Sequence, residues 1–318
     1  MSSSSRSILQ GQDLPQVQDF RIVQDFDTVP AFDVVAPAVQ RAPFVFNSPH
    51  SGRCYPAAFL AASRLGNPAI RRSEDGYVDD LFRPVVELGV PLMRAHFPRA
   101  FLDVNREPYE LDPKMFSGRL PSFANVRSPR VAGGLGTIAR IVADAEEIYS
   151  GPLDVEEGLQ RIEAFYKPYH ATLGALIART CATFGTAVLI DCHSMPSSVR
   201  GQDPRIRPDM IIGDRHGTSC DPAISETAAE VLSDLGFIVA RNRPYAGGFI
   251  TEHYGRPAEG IHALQIEVNR SLYMDERRCR PTAALPELSH LLTRFAAELI
   301  GRFGYGRDDG SLSPLAAE

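Results

Sequence analysis

The stretch TAVLIDCHSMP, residues 186–196, decides how the rest of the chain is read. Val188, Leu189 and Ile190 form a short apolar run after Gly185, the pattern of a buried strand bounded by turn signals. At the carboxyl end of the run the character changes to Asp191, His193 and Ser194. Residues two apart on an extended chain project to the same side, so Asp191 and His193 are expected to face one crevice. Ligands of open α/β sheets bind beyond the carboxyl ends of strands. Phe44–Phe46 repeats the pattern, an apolar run followed by Asn47-Ser48-Pro49-His50-Ser51-Gly52. Two strands that each run into a histidine predict one site built from both.

Working outward, helical and strand patterns alternate. A helix is expected from Tyr77 to Leu88, with Gly89 as its C-cap. Strands are expected at Pro91–Ala95 and Ala100–Val104. Asp154–Phe184 carries Leu159, Ile162, Phe165, Tyr169, Leu173, Leu176 and Ile177 at helical spacing, with a kink expected at Pro168. Strands follow at Pro208–Gly213, Phe237–Ala240 and His262–Val268. Helices are expected at Asp221–Leu235, capped by Asp221, and at Pro281–Phe303. This alternation predicts an α/β fold, a mixed and mostly parallel central sheet with helices on both faces. Residues 1–40, polar and rich in Gln and Asp, are expected to form an arm anchored by Phe20, Ile22, Val23 and Phe26. A single catalytic domain is expected over 41–305 and a tail over 306–318. The loop-rich stretch 107–136 is long enough to be functional.

Composition bounds the function. The chain has 318 residues, 44% hydrophobic, with a formal net charge of -6. An acidic balance argues against a nucleic-acid partner, and no apolar run is long enough to span a membrane. Five scattered cysteines without a CxxC pair suit a reduced, cytoplasmic protein.

The polar clusters cluster after strands: His50, Asn105-Arg106, His193, Asp214–His216 and Glu267–Arg270. This is the strongest sign of one active site along one sheet edge. His50 and His193, with Glu74 or Asp75 as third partner, would make a two-histidine, one-carboxylate metal set that leaves a position for water. The plain alternative for either acid is the first turn of a helix. No HExxH is present, and Arg53 stands where an HxxE pattern puts Glu. Glu267 lies in the apolar strand LQIEV, where a carboxylate is costly unless paired or functional. It is either a general base or half of an ion pair. Arg106 and Arg270 each follow an Asn and could offer a guanidinium fork to a carboxylate, or a salt bridge. His216 and His253, in glycine-containing loops, could polarise a carbonyl or bond the backbone.

Five ordered segments carry a resemblance: PHSG at 49–52, DVNRE at 103–107, DCHSMPS at 191–197, RPYAGGFITEHYG at 243–255 and LQIEVNRSLYMDE at 264–276. Together they resemble the N-formylglutamate amidohydrolase family, over roughly residues 43–300. The family is similar in fold to the zinc carboxypeptidases and aspartoacylases. The resemblance implies hydrolysis of N-formyl-L-glutamate to formate and glutamate in histidine degradation. It implies Zn2+ or another divalent cation at His50, His193 and Asp75, with Glu74 as fallback. It also implies Glu267 as the catalytic carboxylate and Asn105 and Arg106 as the substrate-binding pair, Arg106 also supporting the oxyanion. His216, Tyr245, His253 and Arg270 are expected around a small, carboxylate-bearing amide. Gly247 and Gly248 would let the 243–255 loop move. The stretch RRSEDGYVDDL, residues 71–81, departs from the histidine-pathway members, which carry a Trp-His pair before the shared Val-Asp. It points to an alternative, a sister branch acting on another N-acyl amino acid or small amide. The rival of a different class is a non-catalytic metal or small-ligand binder on the same fold.

Overall fold

A computed structural model describes residues 20–142, 145–198 and 207–304. Its centre is a seven-stranded sheet. In chain order the strands are β1 Phe32–Val35, β2 Phe44–Ser48, β3 Leu92–Ala95, β4 Ala187–Met195, β5 Met210–Gly213, β6 Val239–Arg241 and β7 Ile261–Asn269. Their spatial order is β6-β5-β7-β4-β2-β3-β1. The pairs β6–β5, β7–β4, β4–β2 and β2–β3 are parallel. Only β5–β7 and β3–β1 are antiparallel. The mixed, mostly parallel sheet expected from the alternating pattern is therefore present.

The apolar runs explain why the sheet is buried on both sides. Phe44 and Phe46 of β2 point into one cluster with Ile190, Leu81, Leu292 and Phe295. Val45, between them, points into the other with Leu189, Phe97, Tyr169 and Leu173. That is the period-two alternation of a strand with helices on each face. The first cluster is covered by the helices Pro222–Asp234 and Leu285–Phe303, the second by Lys167–Phe184. Truncating a fully enclosed residue such as Leu189 to Ala is expected to cost about 2–5 kcal/mol, because transfer energy and a cavity are lost together.

Several elements differ from the sequence expectation for identifiable reasons. The helix expected over 77–88 is α-helical only at Val78–Phe82 and continues as a 3-10 helix, Arg83–Leu88. Pro84 lacks the N–H that an α-turn there would need. Ala100–Val104 is not a strand. Phe101 N–H bonds Pro98 O, and the Asp103 carboxylate takes the N–H of Asn105, so the chain turns instead. Around Pro168 the long helix absorbs the imine as a π-turn, Ile162–Tyr166, instead of kinking at the proline. The 243–255 segment, expected as loop, contains the short helix Phe249–Tyr254.

Residues 1–19 of the expected arm and 305–318, which include all of the expected tail, lie outside the described residues. From Phe20 on, the chain is docked. Arg21–Val23 pairs with Cys54–Pro56, Phe26 packs edge-on to Phe97 and Phe165, and β1 closes the edge of the main sheet. Asp33 on β1 accepts two hydrogen bonds from the Arg94 guanidinium and lies 3.2 Å from His96.

Candidate active site

Because β2, β4 and β7 are adjacent and parallel, their carboxyl ends meet on one edge. Register places Asn47 beside Asp191 and Glu267 beside His193. His50 follows β2 by two residues, and the β3 exit returns Asp103, Asn105 and Arg106 to the same edge. Asp75 precedes the helix Val78–Phe82, and its N–H is fixed by the carbonyl of His50 at 3.0 Å. The result is a buried group in which ligand atoms of His50, Asp75 and His193 all lie within 4.8 Å of one another.

The donor pattern of this group is specific. His50 Nε2 bonds Asp103 Oδ1 at 2.7 Å, and His193 Nε2 bonds Asp191 Oδ2 at 2.9 Å. Both outer nitrogens are thus committed to carboxylates, the arrangement that orients metal-ligating histidines. The inner nitrogens converge on one oxygen, Asp75 Oδ2, with His193 Nδ1 at 2.8 Å and His50 Nδ1 at 3.3 Å. His50 Nδ1 is buried without a hydrogen-bond partner. A neutral imidazole whose Nε2–H is donated outward turns its Nδ1 lone pair inward. Two lone pairs facing a carboxylate oxygen need a positive charge among them, so the residues fit a divalent cation. Burial opposes ionisation of Asp75, yet the adjoining His193 and His50 hold its carboxyl well below the usual range.

Asp75 Oδ1 is spoken for. It accepts from Arg270 Nη2 at 3.0 Å, while the rest of that guanidinium bonds Ser194 and the carbonyl of Arg72. Arg270, expected around the substrate, is occupied in holding Asp75 in place. Glu74 is turned elsewhere. Arg71 and Tyr55 bond its carboxylate. Asn105 is likewise committed: its carbonyl oxygen takes the N–H of Ile250 at 2.7 Å, and its amide lies 3.1 Å from His193 Nε2.

The cluster opens into a cavity of about 650 Å³. Glu267, Arg106 and Tyr245 line it, as do Arg99, Arg130 and the apolar side chains Leu135, Ile141 and Val142. Glu267 is buried, and Gln265 donates to its Oε1 at 3.0 Å. Burial and the negative charge of Asp75 push its carboxyl up to about 7 against the pull of His193, Arg99 and Arg270. Proton traffic near neutrality is what such a value suits. Arg106 gives Nε to Leu135 O and Nη1 to Asn105 O, leaving Nη2 at 3.5 Å from Asp103. Burial and the nearby Arg99 and Arg130 bring its guanidinium down to about 10 despite Asp103.

His216 and His253 do not line this cavity and are exposed. β5 runs antiparallel to β7, so Asp214–His216 leaves the sheet away from the edge where His193 sits. His253 stacks on Phe249 at 5.0 Å between ring centres. Three cavity residues escaped the sequence reading. Arg99, Arg130 and Gln265 sit in unremarkable local contexts; only the alternation of Gln265 with Glu267 on one strand marked it as facing the same way. The 244–248 segment is pressed onto the site. A Cβ on Gly248 would lie 2.4 Å from the Asn105 side chain, and one on Gly213 would lie 2.7 Å from the backbone of Ala246, so both positions require glycine.

The family model for N-formylglutamate amidohydrolase matches residues 42–274. An N-formylglutamate deformylase of Pseudomonas aeruginosa is 29% identical over 273 residues, 84% of this chain and 95% of that relative. The crystal structure of N-formylglutamate amidohydrolase from Ralstonia eutropha superposes with a TM-score of 0.81 at 34% identity, covering 86% of this chain and 98% of the other. A gene product of Agrobacterium tumefaciens shares the fold at a TM-score of 0.64 and 17% identity, over 86% of this chain and 95% of that one.

Proposed function

Since the chain belongs to the N-formylglutamate amidohydrolase family, we propose that it hydrolyses the formyl amide of N-formyl-L-glutamate, using a zinc-type divalent cation held by His50, Asp75 and His193. The observation that carries this reading is the convergence of both Nδ1 atoms on Asp75 Oδ2 in the same cavity as a buried Glu267 and several arginines. When bound, the cation would supply Lewis-acid polarisation of a carbonyl and a more acidic water.

The chain's own residues divide the remaining work. Glu267 takes the proton of the attacking water and returns it to the departing amine nitrogen, a transfer suited to a carboxyl near 7. Arg99 bonds Asp103 through Nε at 2.9 Å, which leaves its two terminal nitrogens for negative charge that develops on the carbonyl oxygen. Arg106 presents Nη2 to the α-carboxylate of the substrate. Asp103 and Asp191 hold the tautomers of His50 and His193, and Asn105 and Arg270 position His193 and Asp75. Tyr245 and the 244–248 segment cover the cavity and exclude water. We read residues 41–305 as one catalytic domain, to whose sheet the preceding arm adds β1, acting in histidine degradation in the cytoplasm. Among the described residues no helix is long and apolar enough to cross a membrane.

A second reading has one observation in its favour. The cavity exceeds what a formyl group needs, and Leu135, Ala139, Ile141 and Val142 give it an apolar wall. That suits an N-acyl amino acid with a larger acyl group. The experiment is formate release from N-formyl-L-glutamate by protein of known metal content, beside N-acetyl-L-glutamate. Stoichiometric formate with about one divalent ion per chain is expected. No formate from fully loaded protein overturns the reading, and faster acetate release replaces it with the second.

A further inference from the structure

Arginines 72, 99, 106, 130 and 270 all line the cavity, and they are not equivalent. Arg270 makes four hydrogen bonds around Asp75 and Ser194. Arg72 donates to Glu146 at 2.9 Å, Arg99 to Asp103 at 2.9 Å, and Arg106 to two carbonyls. Among the described residues, the Arg130 side chain has only an ion pair with Glu110, at 3.8 Å, which is too long for a hydrogen bond. Its side chain is 33% exposed, while that of Glu110 is 4% exposed.

Arg130 is also held firmly relative to Arg106. It lies on the short helix Pro129–Ala132, whose N-cap Ser128 accepts the N–H of Val131 at 3.1 Å. Its carbonyl takes the N–H of Leu135 at 2.8 Å, and the carbonyl of Leu135 accepts Arg106 Nε at 2.8 Å. One turn therefore ties the Arg106 guanidinium to the backbone of Arg130. Behind it, Gly136 abuts the carbonyl of Glu110, where a Cβ would lie at 2.1 Å, and Thr137 N–H bonds that same carbonyl. Among the described residues, Arg99, Arg106 and Arg130 share only Asp103 and Glu110 as direct carboxylate partners. Three cations against two anions leave the wall short of negative charge, which a ligand with a second carboxylate supplies.

We propose that Arg130 binds the side-chain carboxylate of the substrate and sets the preference of this site for acidic over neutral N-formyl amino acids. This rests on the N-formyl amino acid reading above and deepens it. The α-carboxylate goes to Arg106, the side-chain carboxylate to Arg130, and the fixed turn between them measures the length of the side chain.

The test compares kcat/KM for N-formyl-L-glutamate and N-formyl-L-glutamine in the wild type, Arg130→Gln and Arg130→Lys, with thermal melts of each. The ratio of the two values is expected to fall by about tenfold or more in Arg130→Gln, chiefly through KM for the acidic substrate. Arg130→Lys should recover part of the ratio, because it keeps the charge and loses the fork. A wild-type ratio in a folded Arg130→Gln overturns the proposal. Calorimetric titration with the product L-glutamate separates this from the parent reading. If the wild type releases formate from neither substrate, the parent reading falls, and an unchanged glutamate Kd in Arg130→Gln overturns the role of Arg130 as well. A Kd weakened by about tenfold upholds it.

Discussion

Asp-Cys-His at 191–193 and Asp-Arg-His at 214–216 are one pattern written at the ends of two strands, and the fold treats them in opposite ways. On β4 the backbone stays extended, so Asp191 and His193 share a side and meet at 2.9 Å, both buried. Asp191 is braced from behind by Asn47 at 2.9 Å. After β5 the chain turns into the 3-10 helix Arg215–Gly217, with His216 left-handed at φ 57° and exposed. Asp214 is spent on the turn, taking the N–H of Gly217 at 2.9 Å, the amide of Asn242 at 2.7 Å and Arg241 at 3.1 Å. Strand direction makes the difference. β4 is parallel to both neighbours and ends among other carboxyl ends, whereas β5 is antiparallel to β7. Here a histidine after a strand joins the candidate site only where several strands end together.

The widest contrast is between the two histidines. His193→Ala should empty the metal site and lower kcat/KM on the order of 10³-fold or more, about 4 kcal/mol of transition-state stabilisation. His216→Ala should change neither metal content nor turnover. Elemental analysis with formate assay checks both, and full metal occupancy in His193→Ala would break the comparison.

The next contrast concerns Glu267, which β7 places beside His193 in register. Glu267→Gln should keep its metal and lose about 10²–10⁴-fold in kcat, the scale of general acid–base help. The acid limb of the pH profile follows from the same carboxyl. Its value near 7 is raised above the ordinary 4.5, so the base form is lost as pH falls through 7. A bound cation pulls the value down. The limb should therefore sit at or below pH 7, with activity rising toward higher pH, and should vanish in Glu267→Gln. An active Gln variant with the limb intact would reduce Glu267 to a structural role.

The smallest contrast sets the two aspartates side by side. Asp191→Asn should weaken metal binding by about 10–100-fold, since the histidine loses the carboxylate that fixes its tautomer. Asp214→Ala should leave metal affinity alone and cost about 1–2 kcal/mol of folding stability through the lost cap. Metal titration and denaturant melts distinguish them. Equal loss of metal in both variants would show that the β5 turn supports the site after all.

These two stretches also mark how far the sequence could be read. The apolar runs before His50 and His193 were legible, because a buried strand announces itself by composition and its exit by polarity. The sense in which a strand is laid into the sheet leaves no mark in a period-two pattern, so Asp214–His216 looked equivalent to Asp191–His193. Asp75 could be told from Glu74 only through the resemblance; in space, Arg71 and Tyr55 claim the latter. β1, the four residues FDVV, went unread because residues 1–40 are polar only on average; the stretch around Phe32, Val34 and Val35 is apolar, and Pro30 and Pro37 leave it short. Arg99 and Arg130 were invisible for different reasons: Arg99 meets Asp103, four residues on, only because the chain turns where a strand was expected, and Arg130 takes its meaning from the distant wall around Arg106.

Asp103 is a small feature with a thermodynamic consequence. One oxygen receives His50 Nε2, and the other receives Arg99 and faces Arg106. The proposed cation half and the proposed carboxylate-binding half of the cavity therefore lean on one side chain, a route by which occupancy of one would be felt at the other. Reciprocity then holds whatever the path: the factor by which a bound cation tightens glutamate is the factor by which glutamate tightens the cation. If that factor exceeds one, a cation at His50, Asp75 and His193 would be held most firmly while substrate is abundant; if it is below one, substrate would loosen it.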